Sequence, residues 1–339
     1  MNRFDELYSF RQAKIAETDK IMSFIRDEWP KKNHIFAKNK DFFLYEFQDG
    51  EMLNFVIAVS HSSNMLDAIL GFIPASNIKQ SLDIWTCMWL TRRRGSIPFL
   101  GIEVFKRIKA ITNCRYVTGI GSNQKSALPL TRDFLNRFTF KMRHYYMLSE
   151  QKEYKVAVIN TIPKPGKPNR MRKSSLKLTN SISEISDHAI LSVEYSLPLK
   201  DKGYISKRFF DHPIYDYKVW EIVSYLEHGI LVGREIDQNG TKILRIVDFI
   251  GKPILLDGLF DEFNALKQNY EYIDFYVYGV DDSHLRNAGF TLKVVEDGNV
   301  IPNYFEPFVQ SNIDVYGSCE VPTMRICKAD SDLDRPSSY

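Results

Sequence analysis

The sequence predicts an α/β protein of the α+β kind with two domains, each a mixed, mostly antiparallel sheet flanked by helices. Three observations carry this expectation. Strand-length apolar runs bounded by turn residues recur in both halves. Amphipathic helices recur between those runs. The same order of elements occurs twice, on either side of a proline-rich basic stretch, and 339 residues suit two domains.

Composition narrows the class. An apolar fraction of 44% with 13% aromatics is enough to fill sizeable cores, so disorder is excluded for most of the chain. No apolar run reaches the roughly 18 residues of a membrane-spanning helix. The start, Met1-Asn2-Arg3-Phe4-Asp5-Glu6, has no apolar signal core, so a cytoplasmic location is expected. The four cysteines, Cys87, Cys114, Cys319 and Cys327, show no CxxC spacing, which fits a reducing compartment and no zinc ribbon. No metal-ligand spacing stands out among the seven histidines, so no metal is expected.

The net charge of +3 conceals a division. Residues 1–160 carry 24 basic and 16 acidic side chains, residues 161–179 carry 6 basic and none acidic, and residues 180–339 carry 15 basic and 26 acidic. The middle stretch, Ile162-Pro163-Lys164-Pro165-Gly166-Lys167-Pro168-Asn169-Arg170-Met171-Arg172-Lys173, reads as an extended basic connector. The expected boundaries are a first domain over 1–158, a linker over 159–182, a second domain over 183–327 and a polar, frayed tail over 328–339.

In the first half, Thr18-Asp19 can cap a helix with Ile21, Met22, Ile25 and Trp29 on one face, ended by Pro30. Phe42–Phe47 and Asn54–Val59 read as strands around the turn Gln48-Asp49-Gly50, Ile69–Ile73 as a third, and Ser81–Leu90 as the strongest. After it comes Leu90-Thr91-Arg92-Arg93-Arg94-Gly95-Ser96-Ile97-Pro98, then a helix with Phe99, Ile102, Phe105, Ile108 and Ile111 at helical spacing. A strand, a basic glycine-containing loop and a helix N-terminus together favour phosphate, because the free N–H groups and the helix dipole both face it. Arg115–Asn123 reads as another strand and turn, Ser126–Arg137 as a helix leading to Phe138-Thr139-Phe140, and Tyr145–Leu148 as a closing strand.

At these residues the chain resembles the GNAT N-acyltransferase superfamily, whose [R/Q]-x-x-G-x-[G/A] loop between a strand and a helix holds the coenzyme A pyrophosphate. Arg92-x-x-Gly95 matches, while Ile97 stands where Gly or Ala is usual. Asn123 matches a common position after the next strand, and Phe138-Thr139-Phe140 resembles the "L-G-F" corner. Leu135 stands where many members carry a tyrosine general acid, so the usual protonation scheme does not transfer. The resemblance covers roughly residues 1–150. It implies acyl-CoA, acetyl-CoA first, as co-substrate, held by Leu90, Arg92, Arg93, Arg94, Gly95, Ser96, Ile97 and Asn123.

In the second half, Tyr217–Val223, Gly229–Arg234 and Thr241–Ile250 read as consecutive strands, with the hairpin signal Asn239-Gly240. A helix with Leu255, Leu259, Phe263 and Leu266 on one side follows, then the alternating strand Tyr272–Tyr278 and the corner Ala288-Gly289-Phe290. This resembles a divergent GNAT copy. Its loop, Gly251-Lys252-Pro253-Ile254, has no arginine cluster, so no CoA site is expected there. Tandem chains of this kind are similar to proteins of bacterial surface-polysaccharide clusters.

Acyl transfer to an amine needs a base, a donor for the thioester carbonyl and a route for protonating the thiolate. The candidate bases are Asp83, on the long strand, His34, in the first inter-element loop, and Glu46. Asn33, Tyr45, Trp85, His212, Asn303 and Tyr304 are candidates for holding an acceptor, an amino sugar or its nucleotide-linked form. No G-x-S-x-G elbow or Cys–His spacing supports a covalent route. The leading expectation is an acyl-CoA-dependent N-acyltransferase. An aminoacyl-tRNA-dependent transferase, using the basic linker for RNA, and a non-catalytic CoA- or sugar-binding module stay open, as does a homodimer. Other nucleic-acid binding and a membrane span are not expected.

Overall fold

The computed structural model describes residues 2–30, 33–78, 82–169, 171–191, 197–225 and 227–337. Ser81, at the head of the expected long strand, Arg170 of the basic connector and the last two residues of the tail lie outside these. The chain divides into two compact units. The first is Met1–Thr139 with Tyr316–Glu320 and Ser331–Tyr339, and the second is Phe140–Val315 with Val321–Asp330.

The first stretch of chain holds α1 (Arg3–Leu7), β1 (Tyr8–Lys14), α2 (Thr18–Glu28), α3 (Ile35–Lys38), α4 (Lys40–Phe47), β2 (Gln48–Asp49), β3 (Met52–Ser60), β4 (Leu66–Pro74), β5 (Asp83–Thr91), α5 (Leu100–Thr112), β6 (Tyr116–Ile120), α6 (Ala127–Asp133) and β7 (Phe138–Lys141). There follow β8 (Arg143–Leu148), β9 (Ser174–Thr179), α7 (Asp187–Leu191), α8 (Lys202–Ile205), β10 (Tyr217–Ser224), β11 (His228–Gln238), β12 (Thr241–Ile250), α9 (Phe260–Leu266), β13 (Tyr272–Tyr278), α10 (Asp282–Asn287), β14 (Thr291–Leu292), β15 (Tyr304–Phe305), β16 (Phe308–Val309), β17 (Tyr316–Cys319) and β18 (Ile326–Cys327).

The first sheet runs β1-β3-β4-β5-β6-β17-β7, with β2 beside β3. Its pairs are antiparallel from β1 to β5, and β5 and β6 are parallel. Leu100, Val104, Phe105 and Ile108 of α5 share a core with Val56, Ala58, Leu70 and Phe72 of the sheet. The second sheet runs β14-β8-β13-β12-β11-β10-β9, with β18 beside β13, and its parallel pair is β12 with β13. Leu255, Leu259 and Phe263 pack there on Leu244, Ile246 and Phe275. Both units are therefore mixed, mostly antiparallel sheets with helices, as the sequence indicates.

Several local expectations give way to tertiary effects. Phe42–Phe47 is helix α4, not a strand. Asn39 caps it by accepting from the Phe42 N–H at 2.9 Å, and Phe43 and Phe47, one turn apart, both meet Phe55. Tyr145–Leu148 does not close the first sheet; β8 pairs with β13 from Tyr272↔Leu148 to Val277↔Arg143. Its place beside β6 is taken by β17, from Gly317↔Ile120 to Cys319↔Thr118. The buried Arg137 holds that strand through Ser318, and Glu320 accepts from the Val117 N–H at 3.1 Å. The expected linker is structured at both ends: Val158 bridges to Val300, and Ser174–Thr179 pairs with β10 as β9. The helix expected from Leu255 to Leu266 is a 3-10 turn over Pro253–Gly258 followed by α9. The tail is not frayed: Lys328, Asp330, Ser331 and Asp334 are buried. The four cysteines are free and buried. Among the described residues no helix is long and apolar enough to cross a membrane, and no group of three metal-ligating side chains occurs.

Candidate functional site

The parallel pairing of β5 with β6 runs only from Asp83↔Tyr116 to Thr86↔Gly119. Beyond that pair β6 ends at Ile120 while β5 runs on to Thr91, which leaves a splay on the β6 side of β5. On its other edge β5 is bulged: Gly71 pairs with Cys87 and Ile69 with Leu90, so Met88 and Trp89 together face Leu70. Met88 takes φ +47°, a left-handed conformation uncommon for a side-chain-bearing residue. A bulge leaves one residue's backbone out of the ladder and bends its strand. β5 therefore has backbone left unpaired by β6 past Thr86 and a bulge on its β4 side.

The open end of the splay leads into the arginine loop, and the structure separates the three arginines. Arg92 is a bracket: its Nε donates to Asp67 Oδ1 at 2.8 Å, its Nη2 to the Leu66 carbonyl at 2.6 Å, and its N–H to the Asp67 carbonyl at 2.8 Å. Asp67 is buried and also accepts from Tyr8 Oη at 3.3 Å. Arg93 donates its N–H and guanidinium to Glu28. Arg94 is exposed and has no ion-pair partner among the described residues. Gly95 takes φ +93° with open space where a Cβ would stand, and Ser96 Oγ donates to the Arg92 carbonyl at 2.7 Å. The N-cap of α5 is Phe99, at φ +66°, and no side chain caps the helix. The Leu100 N–H donates to the Ile97 carbonyl at 3.4 Å, and the next N–H groups of the first turn lack intrahelical acceptors at the positive end of the dipole. Phe99 is 58% exposed and meets Phe134, itself 50% exposed, at a tilt of 39° with centroids 5.4 Å apart. Ile97 packs on the core beneath. Gly101 allows the helix to approach Trp89, whose Nε1 donates to the Gly101 carbonyl at 2.9 Å.

At the closed end of the splay lies a cluster that sequence reasoning missed. Ser331 Oγ donates to the carbonyl of Thr86 at 3.3 Å. Arg335 Nε meets Asp332 Oδ2 at 2.9 Å, and its Nη2 lies 2.9 Å from His34 Nε2. The Arg335 guanidinium sits 5.4 Å over the Phe36 ring. Burial, with Asp332 and Glu46 nearby, pushes the Cys87 thiol well above its usual range. Its sequence signal was weak: a short polar run about 300 residues from His34, with no periodicity to mark it.

The candidate bases fall as follows. His34 is buried, its Nδ1 accepts from the Phe36 N–H at 3.2 Å and so caps α3, and burial beside Arg335 lowers it to about 3. The ring is neutral, with Nδ1 engaged in this cap. Asp83 is held in a two-pronged pair by Arg115 at 2.9 and 2.7 Å, at the end of β5 remote from the loop, so it is a structural anchor. Glu46 is buried on α4. Trp85, expected to hold the acceptor, is fully buried, and Leu90, expected to hold the cofactor, is half-buried and pairs with Ile69. Tyr45 stacks on Phe42, and Asn33 is exposed at φ +73°. Asn123 accepts from the N–H groups of Lys125 and Ser126, forming the turn before α6. In the second unit, His212 accepts from the N–H groups of Ile214 and Tyr215, Asn303 donates to the Ile313 carbonyl, and Tyr304 lies in the β15–β16 hairpin.

The second sheet repeats the device and then fills it. Pairing of β12 with β13 runs from Leu244↔Ile273 to Ile246↔Phe275, and β12 is bulged at Val247, between Val232↔Asp248 and Gly233↔Ile246. Past that point the chain itself enters: Cys327 pairs with Val277, Ile326 with Tyr278, and the Ala329 N–H donates to the Val247 carbonyl at 2.8 Å. Beneath it Lys200 Nζ reaches Asp248 and Asp330, both at 2.6 Å, and all three are buried.

No protein-family model matches the chain, and no curated protein matches it by sequence. Solved structures do. A GCN5-related N-acetyltransferase from Anabaena variabilis superposes with a TM-score of 0.53 at 6% identity, over 91% of this chain and 72% of that one. A probable N-acyltransferase from Enterococcus faecalis gives 0.52 at 7% identity, over 84% of this chain and 70% of that one. At such identities the likeness is one of fold: the chain has the architecture of the GNAT proteins.

Proposed function

We propose that the first unit is an acyl-CoA-dependent N-acyltransferase, acetyl-CoA being the first donor to test, and that the second unit binds no CoA. One observation carries this reading. Two sheets share the same splay and bulge, and only the first leads from it to the uncapped N-terminus of a 13-residue helix beside Arg94, which has no ion-pair partner among the described residues, whereas the second is filled by residues 326–329.

The residues suit the donor. An extended amide-bearing arm can take the backbone groups of β5 that β6 leaves unpaired past Thr86. The first turn of α5, with Arg94 beside it, suits a pyrophosphate. The exposed Phe99–Phe134 pair suits a stacked purine. In the transfer, the acceptor nitrogen attacks the thioester carbonyl, the C–N bond forms, the C–S bond breaks, and the thiolate leaves with a proton. The bulge at Met88–Trp89 supplies the unpaired backbone donor for the carbonyl oxygen. Glu46, a buried carboxylate near Cys87, is the proposed proton acceptor for the amine. The proposed acceptor is a small amine, amino sugars and their nucleotide-linked forms foremost.

The test is titration calorimetry with acetyl-CoA, followed by thiol release against an amine panel that includes amino sugars. Binding that is lost when Gly95→Pro distorts the loop, with thiol release dependent on one amine class, is expected. Absence of acetyl-CoA binding by the folded native protein would overturn the reading.

A further inference from the structure

The closed end of the first splay is not made by β5 and β6 alone. A short segment, Ser331 to Arg335, crosses it. On one arm Ser331, 1% exposed, donates to the Thr86 carbonyl, at the last pair before the strands part. On the other arm Leu333 stands over Gly121, just past β6, with its Cδ1 3.3 Å from where a Cβ on that glycine would be. Gly121 takes φ +74°, so a side chain there is disfavoured twice. Between these points Asp332 and Arg335 form an ion pair at 2.9 Å, and the Arg335 guanidinium lies over the Phe36 ring. The crossing segment is thus built in, polar at its centre and anchored on both arms.

We propose that this strap is the stop that sets acyl chain length, admitting acetyl and other short groups and refusing long aliphatic ones. The inference rests on the reading of the splay as the acyl-CoA site. An acetyl group would end at the bulge around Met88, two residues from Thr86. A longer chain has to continue past Thr86. There it either displaces the Ser331 hydrogen bond or lays methylenes on the Asp332–Arg335 pair, removing water from charges without supplying new hydrogen bonds. In an open apolar slot each added methylene would instead tighten binding roughly fourfold. The sign of the chain-length dependence therefore reports whether the strap blocks the way.

The experiment is calorimetric titration of the full chain with free CoA, acetyl-CoA, butyryl-CoA and octanoyl-CoA. It is repeated on Ser331→Ala/Leu333→Ala and on Leu333→Ala alone, with circular dichroism to establish folding. The native protein is expected to bind octanoyl-CoA at least tenfold more weakly than acetyl-CoA, and a folded variant to raise the octanoyl-to-acetyl affinity ratio at least tenfold. Octanoyl-CoA binding the native protein as tightly as acetyl-CoA, or a ratio unmoved in a folded variant, overturns the strap proposal while leaving the CoA site standing. Failure of CoA and every acyl-CoA to bind the native protein overturns both.

Discussion

Replacing Arg92 and Arg94 separately by alanine distinguishes a bracket from a ligand contact within one loop. Arg92→Ala leaves the buried Asp67 with Tyr8 Oη alone and strips the Leu66 carbonyl of its guanidinium donor. A hydrogen bond to a charged group is worth about 1.5–3 kcal/mol, and the side chain of Arg92 is only 26% exposed, so screening is incomplete. A loss of about 2–3 kcal/mol follows, which for a unit of this size lowers the melting temperature by roughly 4–10 °C. Arg94 is exposed and unpaired among the described residues, so Arg94→Ala should leave stability within about 0.5 kcal/mol. Its effect belongs to the phosphates, about two- to fivefold in acetyl-CoA affinity, the scale of an exposed ion pair. The measurements are thermal unfolding followed by circular dichroism and calorimetric titration with acetyl-CoA. If Arg92→Ala keeps its melting temperature yet loses acetyl-CoA, while Arg94→Ala binds normally, the division of roles is refuted.

Phe99→Gly should relieve the left-handed backbone strain and hold or raise stability, yet weaken acetyl-CoA binding fivefold or more as the stacking face is lost; unchanged affinity would remove the purine site from the scheme. His34 is held near 3 in the fold against about 6.5 when unfolded, so the unfolded chain takes up the extra proton between those values. Stability is accordingly whole above about pH 7 and falls as the pH drops through 6.5 towards 3, by about 2 kcal/mol at pH 5. Urea unfolding of His34→Gln at pH 7.5 and pH 5 should show a shallower acid slope than the native chain, and an equal slope would refute the assignment. Lys200→Met leaves Asp248 and Asp330 buried without their shared cation and should cost about 3–5 kcal/mol. Adding Asp330→Asn should restore part of that in the same urea titrations, and no recovery would show that the charge is not the cause.

Much of the sheet order was legible because alternation and turn chemistry are local. Asn239-Gly240 marked the β11–β12 hairpin, and the apolar run at Asp83–Thr91 marked the central strand. The misreadings have a common origin. Phe42–Phe47 is dense in aromatics, which suit a strand, yet the Asn39 cap and the packing of Phe43 and Phe47 on Phe55 favour a helix. The pairing of β8 with β13, and of β17 with β6, cannot be read from either segment, since a short strand's pattern does not name its partner. For the site, the arginine loop was visible as a motif, but which arginine is free depends on Asp67 and Glu28, remote in sequence.

By itself the sequence determined that this chain makes two α/β units and that the basic half carries an arginine-rich glycine loop with no counterpart in the acidic half. Those features are set by spacing and by side-chain charge within short windows. Only the tertiary structure decided that residues 326–329 fill the second splay and that Ser331–Arg335 cross the end of the first. A polar tail has no periodicity, and its burial depends on backbone groups left unpaired where two parallel strands diverge. That divergence is a property of the folded sheet alone.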